Sequence, residues 1–510
     1  MPDRWNTNIF ELKGGLITNL SQLQHGITAP GSARILRNFE PSVFGGYRRI
    51  EGFEKYDSNG IPNSGVIRGI LRYRDNVYVA RGNGIFRSAG SGWTEVTNNA
   101  TFSSTGINIG SGSSKVRFLK YDFTGTEKFM VVDGDTGNKP FTFDNSTFRE
   151  ETGLSNDTLG CTHIVNFKNH IFLGKGKNLI FSAPYSDTDF TSASGGGIIN
   201  IADNITGLIV FREQLVIFSE NKINRLVGNS VADFALQPVS RDLGCVAEDT
   251  IQEIGGDIIF LGPDGLRTFS ATDRVGDFAL GVISKPIQTD MLDLISSSSS
   301  FSSVVIREKS QYRIFGYNAT YQTSGAKSIA GTQLQEGISW NDIRGIKAYS
   351  TFSEYDGNTE FIYFGNELDY LYRMEQGNTF DGTNITATFA TPYVPLQDPN
   401  LRKTVFRNTS YIDADGAFEL QMSIKYDFDQ TGSVQPLPVT LNNASASSVV
   451  YGAGIYGTSS YGNKARYIYE EPVTGSGFTV SILYETLGQT TDSTFTIDSA
   501  SIQYGLYGRR

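Results

Sequence analysis

"GILRYRDNVYVARGNGIFRSAGSGWTEV", residues 69–96, sets short apolar strands between turns. Arg74-Asp75-Asn76 makes the first turn, Gly82-Asn83-Gly84 the second and Gly90-Ser91-Gly92 the third, so the stretch reads as four strands joined by three hairpins. The theme returns along the chain as VYVA after Asn76, FMVV after Lys128, IFLG after His170, LVIF after Gln214, IIFL after Asp257, YRIF after Gln311 and FIYF after Glu360. Subtraction of those residue numbers gives spacings of 52, 42, 44, 43, 54 and 49. A four-stranded propeller blade takes about 40 to 50 residues, so the period predicts a degenerate β-propeller of about six to eight blades over residues 61–380. A series of β-sandwiches is the alternative.

Composition agrees with an all-β chain. The 510 residues hold 56 Gly, 34 Phe and 25 Tyr against 5 Met, with Ser, Thr and Asn crowded between apolar runs. After about residue 380 the repeat gives way to longer alternating segments such as "AFELQMSIKYDFD" (417–429) and "GFTVSILYET" (477–486). These predict a C-terminal β-sandwich or jelly-roll-like domain over 381–510. Residues 1–60 read as an N-terminal arm with short strands, and a strand near "GGYRRIEGFEKY" (45–56) is placed to complete a blade or reach a neighbouring subunit. "SKPIQTDMLDLI" (284–295) predicts one helix packed between blades, with Ser284 as cap, Pro286 in the first turn, and Ile287, Met291, Leu294 and Ile295 on one face. The serine run from Ser296 to Ser300 reads as a flexible loop.

Chemistry is sparse. "VVYGAGIYGTSSYG" (449–462) has Gly452, Gly454 and Gly457 in G-x-G-x-x-G spacing, but no helical period follows to aim N–H groups at a phosphate. The Tyr-Gly pair simply recurs at Tyr451, Tyr456 and Tyr461, as expected of loops that bend tightly or approach another surface. His25, His163 and His170 give little material for acid–base catalysis or metal binding, and His163 and His170, on either side of a turn, read as surface or edge histidines. Asp133 and Asp135 in "VVDGDTGNKPFTFD" (131–144) offer oxygen ligands for calcium but lack EF-hand spacing, and a hairpin turn accounts for the same residues. "SAGSGW" (88–93) puts Gly90 where a sialidase-type turn carries aspartate. A glycosidase needs two carboxylates at a defined separation, which a single sequence does not show. No nucleophile elbow or P-loop is present, and the reading is of a protein that is not an enzyme, with no cofactor and no metal. Cys161 and Cys245 are too few for a disulfide framework and read as buried thiols. With no apolar leader or spanning stretch, the chain reads as soluble, cytosol-made and not membrane-inserted. Lys plus Arg is 43 against 53 Asp plus Glu, a formal net charge of −10, without the basic surplus of a protein that grips phosphates.

Three segments carry a resemblance: "GLITNLSQLQHGITAPGSARILRNFEPSVFGGYRRIEGFEKY" (15–56), "LGCVAEDTIQEIGGDIIFLGPDGLRTFS" (243–270) and "STFTIDSASIQYGLYGRR" (493–510). Their order and texture resemble the tail nozzle proteins of short-tailed bacteriophages, also described as tail tubular protein B or packaged-DNA stabilisation proteins. The resemblance implies a virion tail protein assembled in the host cytoplasm, a ring of usually six copies. Its partners would be the portal-adaptor ring, the tail fibres and the genomic double-stranded DNA that passes through without tight binding. It supplies no catalytic residues. A receptor-binding tail fibre or spike and a glycan-active propeller enzyme are the alternatives. Interface residues expected for the ring are Tyr451, Tyr456, Tyr461, Tyr507, Arg509 and Arg510, since Tyr and Arg combine contact area with a directional polar group.

Overall fold

The computed structural model describes residues 5–103, 106–112, 114–151, 153–275, 281–430, 435–443, 448–449, 460–461, 465–488 and 492–507. Each of the seven apolar runs is the second strand of a sheet, and the seven sheets stand around one axis. Six are four-stranded blades: 67–95, 117–150, 163–200, 205–240, 300–344, and 350–374 completed by Phe53–Lys55. Between the fourth and fifth of these stands a three-stranded sheet, 252–268. The β-propeller read from the period is therefore the architecture of the middle of the chain.

Local chemistry explains the blades. Two-residue turns with φ > 0 at both positions match the right-handed twist of the flanking strands. Such turns join the first and second strands at Lys168-Asn169 (φ 49, 63), Arg212-Glu213 (φ 46, 63) and Gly255-Gly256 (φ 62, 75). Second strands are sandwiched between neighbouring blades and so read as unbroken apolar runs; in the first, Val77, Tyr78, Val79 and Ala80 are all buried.

The propeller closes through the N-terminal segment. Phe53–Lys55 pairs antiparallel with Tyr372–Met374 as the fourth strand of the last blade. The Phe53 ring lies 4.9 Å from that of Phe364, 5.1 Å from Tyr372 and 5.1 Å from Phe380. The rest of the first 60 residues, expected as an arm, is shared out among sheets of the C-terminal half. Asn6–Glu11 and Tyr47–Arg49 both pair with the last strand, Phe495–Tyr507. Ile35–Arg37 lies between Gly337–Arg344 of the fifth four-stranded blade and Thr388–Ala390, so that blade runs on as a nine-stranded sheet through Val480–Thr486 and Glu419–Tyr426 to Val439–Asn442. The two C-terminal sheets form a sandwich over one core that includes Phe39, Phe389, Ile412, Ile424, Ile482, Tyr484 and Ile497.

The expected helix is present as a short turn at Lys285–Ile287 leading into Gln288–Ser297. Ile287, Met291 and Leu294 pack against Leu261 and Leu266 of the three-stranded sheet and Phe301 and Tyr312 of the next blade. Ser284 stands at the N-cap position as expected, but its side chain makes no capping bond; its Oγ accepts the Leu266 N–H at 3.0 Å. Of the serine run only Ser298 and Ser299 lie outside regular structure. Ser296 and Ser297 end the helix and Ser300 begins a strand, because serine hydroxyls satisfy the free carbonyls at a helix end: Ser296 donates to Asp293 and Ser298 to Leu294, at 3.1 and 2.7 Å. Two further helices, Gln22–Thr28 and Phe269–Val275, were not expected. No helix among the described residues is long and apolar enough to cross a membrane.

Candidate functional site

The inner strands of all seven sheets line a cavity of about 280 Å³ on the propeller axis. Lys115 and Arg117 sit two apart at the entry of the second blade, so they share one face. Glu248 and Asp249 open a tight helical turn that leads into the three-stranded sheet. Arg117 pairs with Glu248 through Nε, stands 3.4 Å from Asp249, and donates to the Thr162 carbonyl at 3.2 Å. Lys115 is 3.3 Å from Asp249, donates to the Tyr349 and Phe301 carbonyls, and lies 4.1 Å from the centre of the Tyr349 ring. His163 Nε2 is 3.3 Å from Glu248. One polar cluster thus ties together blades from opposite sides of the axis.

Burial decides how these groups titrate. It pushes the Glu248 carboxyl up to about 8 against the pull of Arg117, with Asp249 adding to the rise. Asp249 feels the same burial, but Lys115 and Arg117 outweigh it and hold its carboxyl below the ordinary range. Burial, assisted by Arg117, lowers His163 to about 3 and keeps it neutral. Two adjacent carboxyls are thus pushed in opposite directions, Glu248 up and Asp249 down.

A second charged cluster joins the N-terminal hairpin to the propeller. Arg313 donates to Glu40 at 3.1 Å and stands 2.6 Å from Glu375; Lys309 is 2.7 Å from Glu40 and also pairs with Glu375. It borders a cavity of about 370 Å³ beside the hairpin tip, where Phe44 is almost fully exposed.

The sequence-derived candidates are scattered. All three histidines are buried, which corrects the surface reading of His163 and His170: His25 meets Ser32 Oγ at 2.6 Å, His163 sits at the axis, and His170 meets the Ser182 carbonyl at 2.6 Å among Phe172, Phe181 and Phe234. Histidine is amphipathic enough to be buried where one ring nitrogen finds a partner. Asp133 accepts from the Gly110 and Asp135 N–H groups at 2.8 and 3.0 Å and from the Asn138 amide at 2.7 Å; Asp135 accepts from Gly137 N–H at 2.9 Å. These are turn contacts in the loop between Lys128–Val132 and Phe141–Phe143. Cys161 and Cys245 are free, buried thiols. Tyr451, Tyr456, Arg509 and Arg510 lie outside the described residues, as do the three spaced glycines. Tyr461 belongs to a short two-residue strand, and Tyr507 ends the last strand opposite Arg402. The axial cluster was missed, although Lys115-Val116-Arg117, an alternating cationic pair entering a blade, was its visible signal.

No protein-family model matches the chain, and no curated protein matches it. Solved structures do. An ancestral GH74 enzyme is 10% identical over 67% of this chain and 51% of its own, about half its length, with a TM-score of 0.42. The exo-β-1,3-galactanase of Phanerochaete chrysosporium is 11% identical over 89% of this chain and 99% of its own, with a TM-score of 0.25. A glycoside hydrolase family 43 arabinoxylan arabinofuranohydrolase from Bacillus subtilis is 11% identical over 89% and 98%, with a TM-score of 0.24. At such identities the likeness concerns fold alone. It nevertheless corrects one expectation: the reading that this chain is not an enzyme rested on missing motifs, and glycoside hydrolases stand among the structures it resembles.

Proposed function

We propose that the chain is a tail nozzle subunit of a short-tailed bacteriophage, one of a ring of copies that retains packaged DNA and passes it on infection. The observation that carries this reading is the pairing of two segments on which the resemblance rests. Tyr47 and Arg48, from the N-terminal segment, pair with Ile497 and Thr496 of the C-terminal one, so texture at the two chain ends belongs to one folded unit. The axial cavity is far too small for a duplex and is crossed by charged pairs, so on this reading DNA runs through a lumen formed between copies and not through the propeller. The acid excess suits such a lumen, because a wall of Lys and Arg would release counterions at every phosphate and hold the duplex.

Negative-stain images of purified protein, alone and mixed with adaptor rings of the same phage, test the reading. Rings that stack on the adaptor are expected; a monomer that never joins it refutes the proposal. Duplex binding at about 0.15 M salt is expected in the non-specific range, a Kd of roughly 10⁻⁴ to 10⁻⁶ M. A second reading, a glycan-active propeller, is favoured by the two carboxyls, Glu248 and Asp249, that line the axial cavity and are pushed in opposite directions there. Hydrolysis of a glycan panel that is lost in Asp249→Asn would select it.

A further inference from the structure

Among the described residues, one sandwich sheet has two margins with no further strand. Across it run Asn6–Glu11, Phe495–Tyr507, Arg402–Ala414 and Ala465–Pro472, each antiparallel to the next. Among the described residues, Asn6–Glu11 pairs only with the last strand and Ala465–Pro472 only with Arg402–Ala414. The margins therefore run in opposite directions. A second copy set alongside in the same orientation brings its first strand antiparallel to Ala465–Pro472 of the first copy.

Edge strands in isolated proteins are blunted by charge, proline or bulges, since an open row of N–H and C=O groups templates another strand. Asn6–Phe10 carries none of these and exposes Ile9 (66%), with Trp5 (52%) just before it, whereas Glu11 and the opposite margin, with Arg466, Glu470, Glu471 and Pro472, carry charges and a proline that restrict which strand can pair there. The opposite margin exposes Ile468 (59%). On the outer face the exposed residues alternate as Trp5, Thr7, Ile9 and Glu11 at one margin and Arg466, Ile468, Glu470 and Pro472 at the other.

We propose that Ala465–Pro472 of one copy pairs antiparallel with Asn6–Glu11 of the next, with Ile9 opposite Ile468, Glu11 opposite Arg466, Thr7 opposite Glu470 and Trp5 opposite Pro472. Outer residues must meet outer residues, so only shifts of two are open, and a shift either way sets Ile9 against Arg466 or Glu470. The chosen register matches apolar with apolar and acid with base. Arg466 is held by Asp413 at 2.9 Å, stands 3.6 Å from Asp498 and stays 69% exposed, so Glu11 of the next copy would join these two carboxylates on its outer side. Two different margins meeting make a head-to-tail contact, the kind that closes into rings. The inference rests on the ring reading above and names its interface.

Full-length Ile9→Cys/Ile468→Cys, oxidised with diamide, tests it on non-reducing gels. Residues directly opposite on antiparallel strands stand about 4.5–5.5 Å apart at Cβ, near disulfide reach, while Cys161 and Cys245 are buried. The expected result is a ladder of covalent oligomers from the double variant and from neither single variant. A covalent dimer from Ile9→Cys alone, with no ladder from the pair, overturns the proposal by showing like margins meeting. Rings in mass photometry without cross-linking overturn the pairing and leave the ring reading standing; monomers at every concentration overturn both. Charge exchange gives an independent measure. Glu11→Arg and Arg466→Glu should each lower the oligomer fraction severalfold and the combination restore it, with unchanged melting of the monomer as the folding control; no restoration counts against the register.

Discussion

Replacing Glu375 with glutamine removes one charge from the buried cluster that binds the N-terminal hairpin to the propeller and keeps the side chain's shape. Burial pushes the Glu375 carboxyl up, but Arg313 and Lys309 outweigh it and lower it from 4.5 to about 2. At 1.36 kcal/mol for each pK unit, that depression corresponds to about 3 kcal/mol of stability at neutral pH. Glu51, raised by burial and further by Glu375, is relieved in the variant, which reduces the expected loss to about 2 to 3 kcal/mol. The sign follows from the direction of the shift. A lowered carboxyl stabilises above its unfolded value and loses that contribution as pH falls, here from 4.5 through about 2. Urea unfolding of both proteins at pH 7 should show the full gap, and the gap should narrow as the titration is carried below pH 4.5. Equal stability at pH 7, or a gap that does not change with pH, would falsify the assignment of this cluster as a net stabilising clamp.

Other consequences are equally direct. Glu248 has a raised carboxyl, so its stabilising contribution is complete below 4.5 and lost as pH rises through about 8; Glu248→Gln should melt above the wild type at pH 9 and match it near pH 4.5 by calorimetry. Phe53→Ala empties a buried site among Phe364, Tyr372 and Phe380 and should cost about 3 to 5 kcal/mol, with faster hydrogen exchange in 350–374 showing that the last blade has lost its closing strand. Removal of residues 504–510 takes away buried Tyr504 and the strand end opposite Arg402–Val405 and should lower the melting temperature by several degrees; unchanged melting contradicts the pairing.

What could be read from the sequence was local. Each second strand of a blade is buried on both faces, so it is written as an apolar run, and each hairpin is written as a polar or glycine turn; together they mark every sheet of the propeller before any long-range contact is known. Helix Gln288–Ser297 was legible for the same reason, from a 3.6-residue period. The serine run misled because composition does not record whether a hydroxyl faces water or a helix-end carbonyl.

Tertiary structure alone decided the rest. Phe53–Lys55 closes a blade more than 300 positions away, and Asn6–Glu11 and Tyr47–Arg49 find the last strand of the chain; a three- to six-residue strand has no period long enough to name its partner. Lys115 and Arg117 meet Glu248 and Asp249 only because blade closure brings distant strand entries to one axis. In sequence Glu248 and Asp249 are ordinary turn charges, and Lys115 and Arg117 show only as an alternating cationic pair at a strand entry. Desolvation at the axis, which no local pattern encodes, sets Glu248 and Asp249 apart and makes His163 neutral.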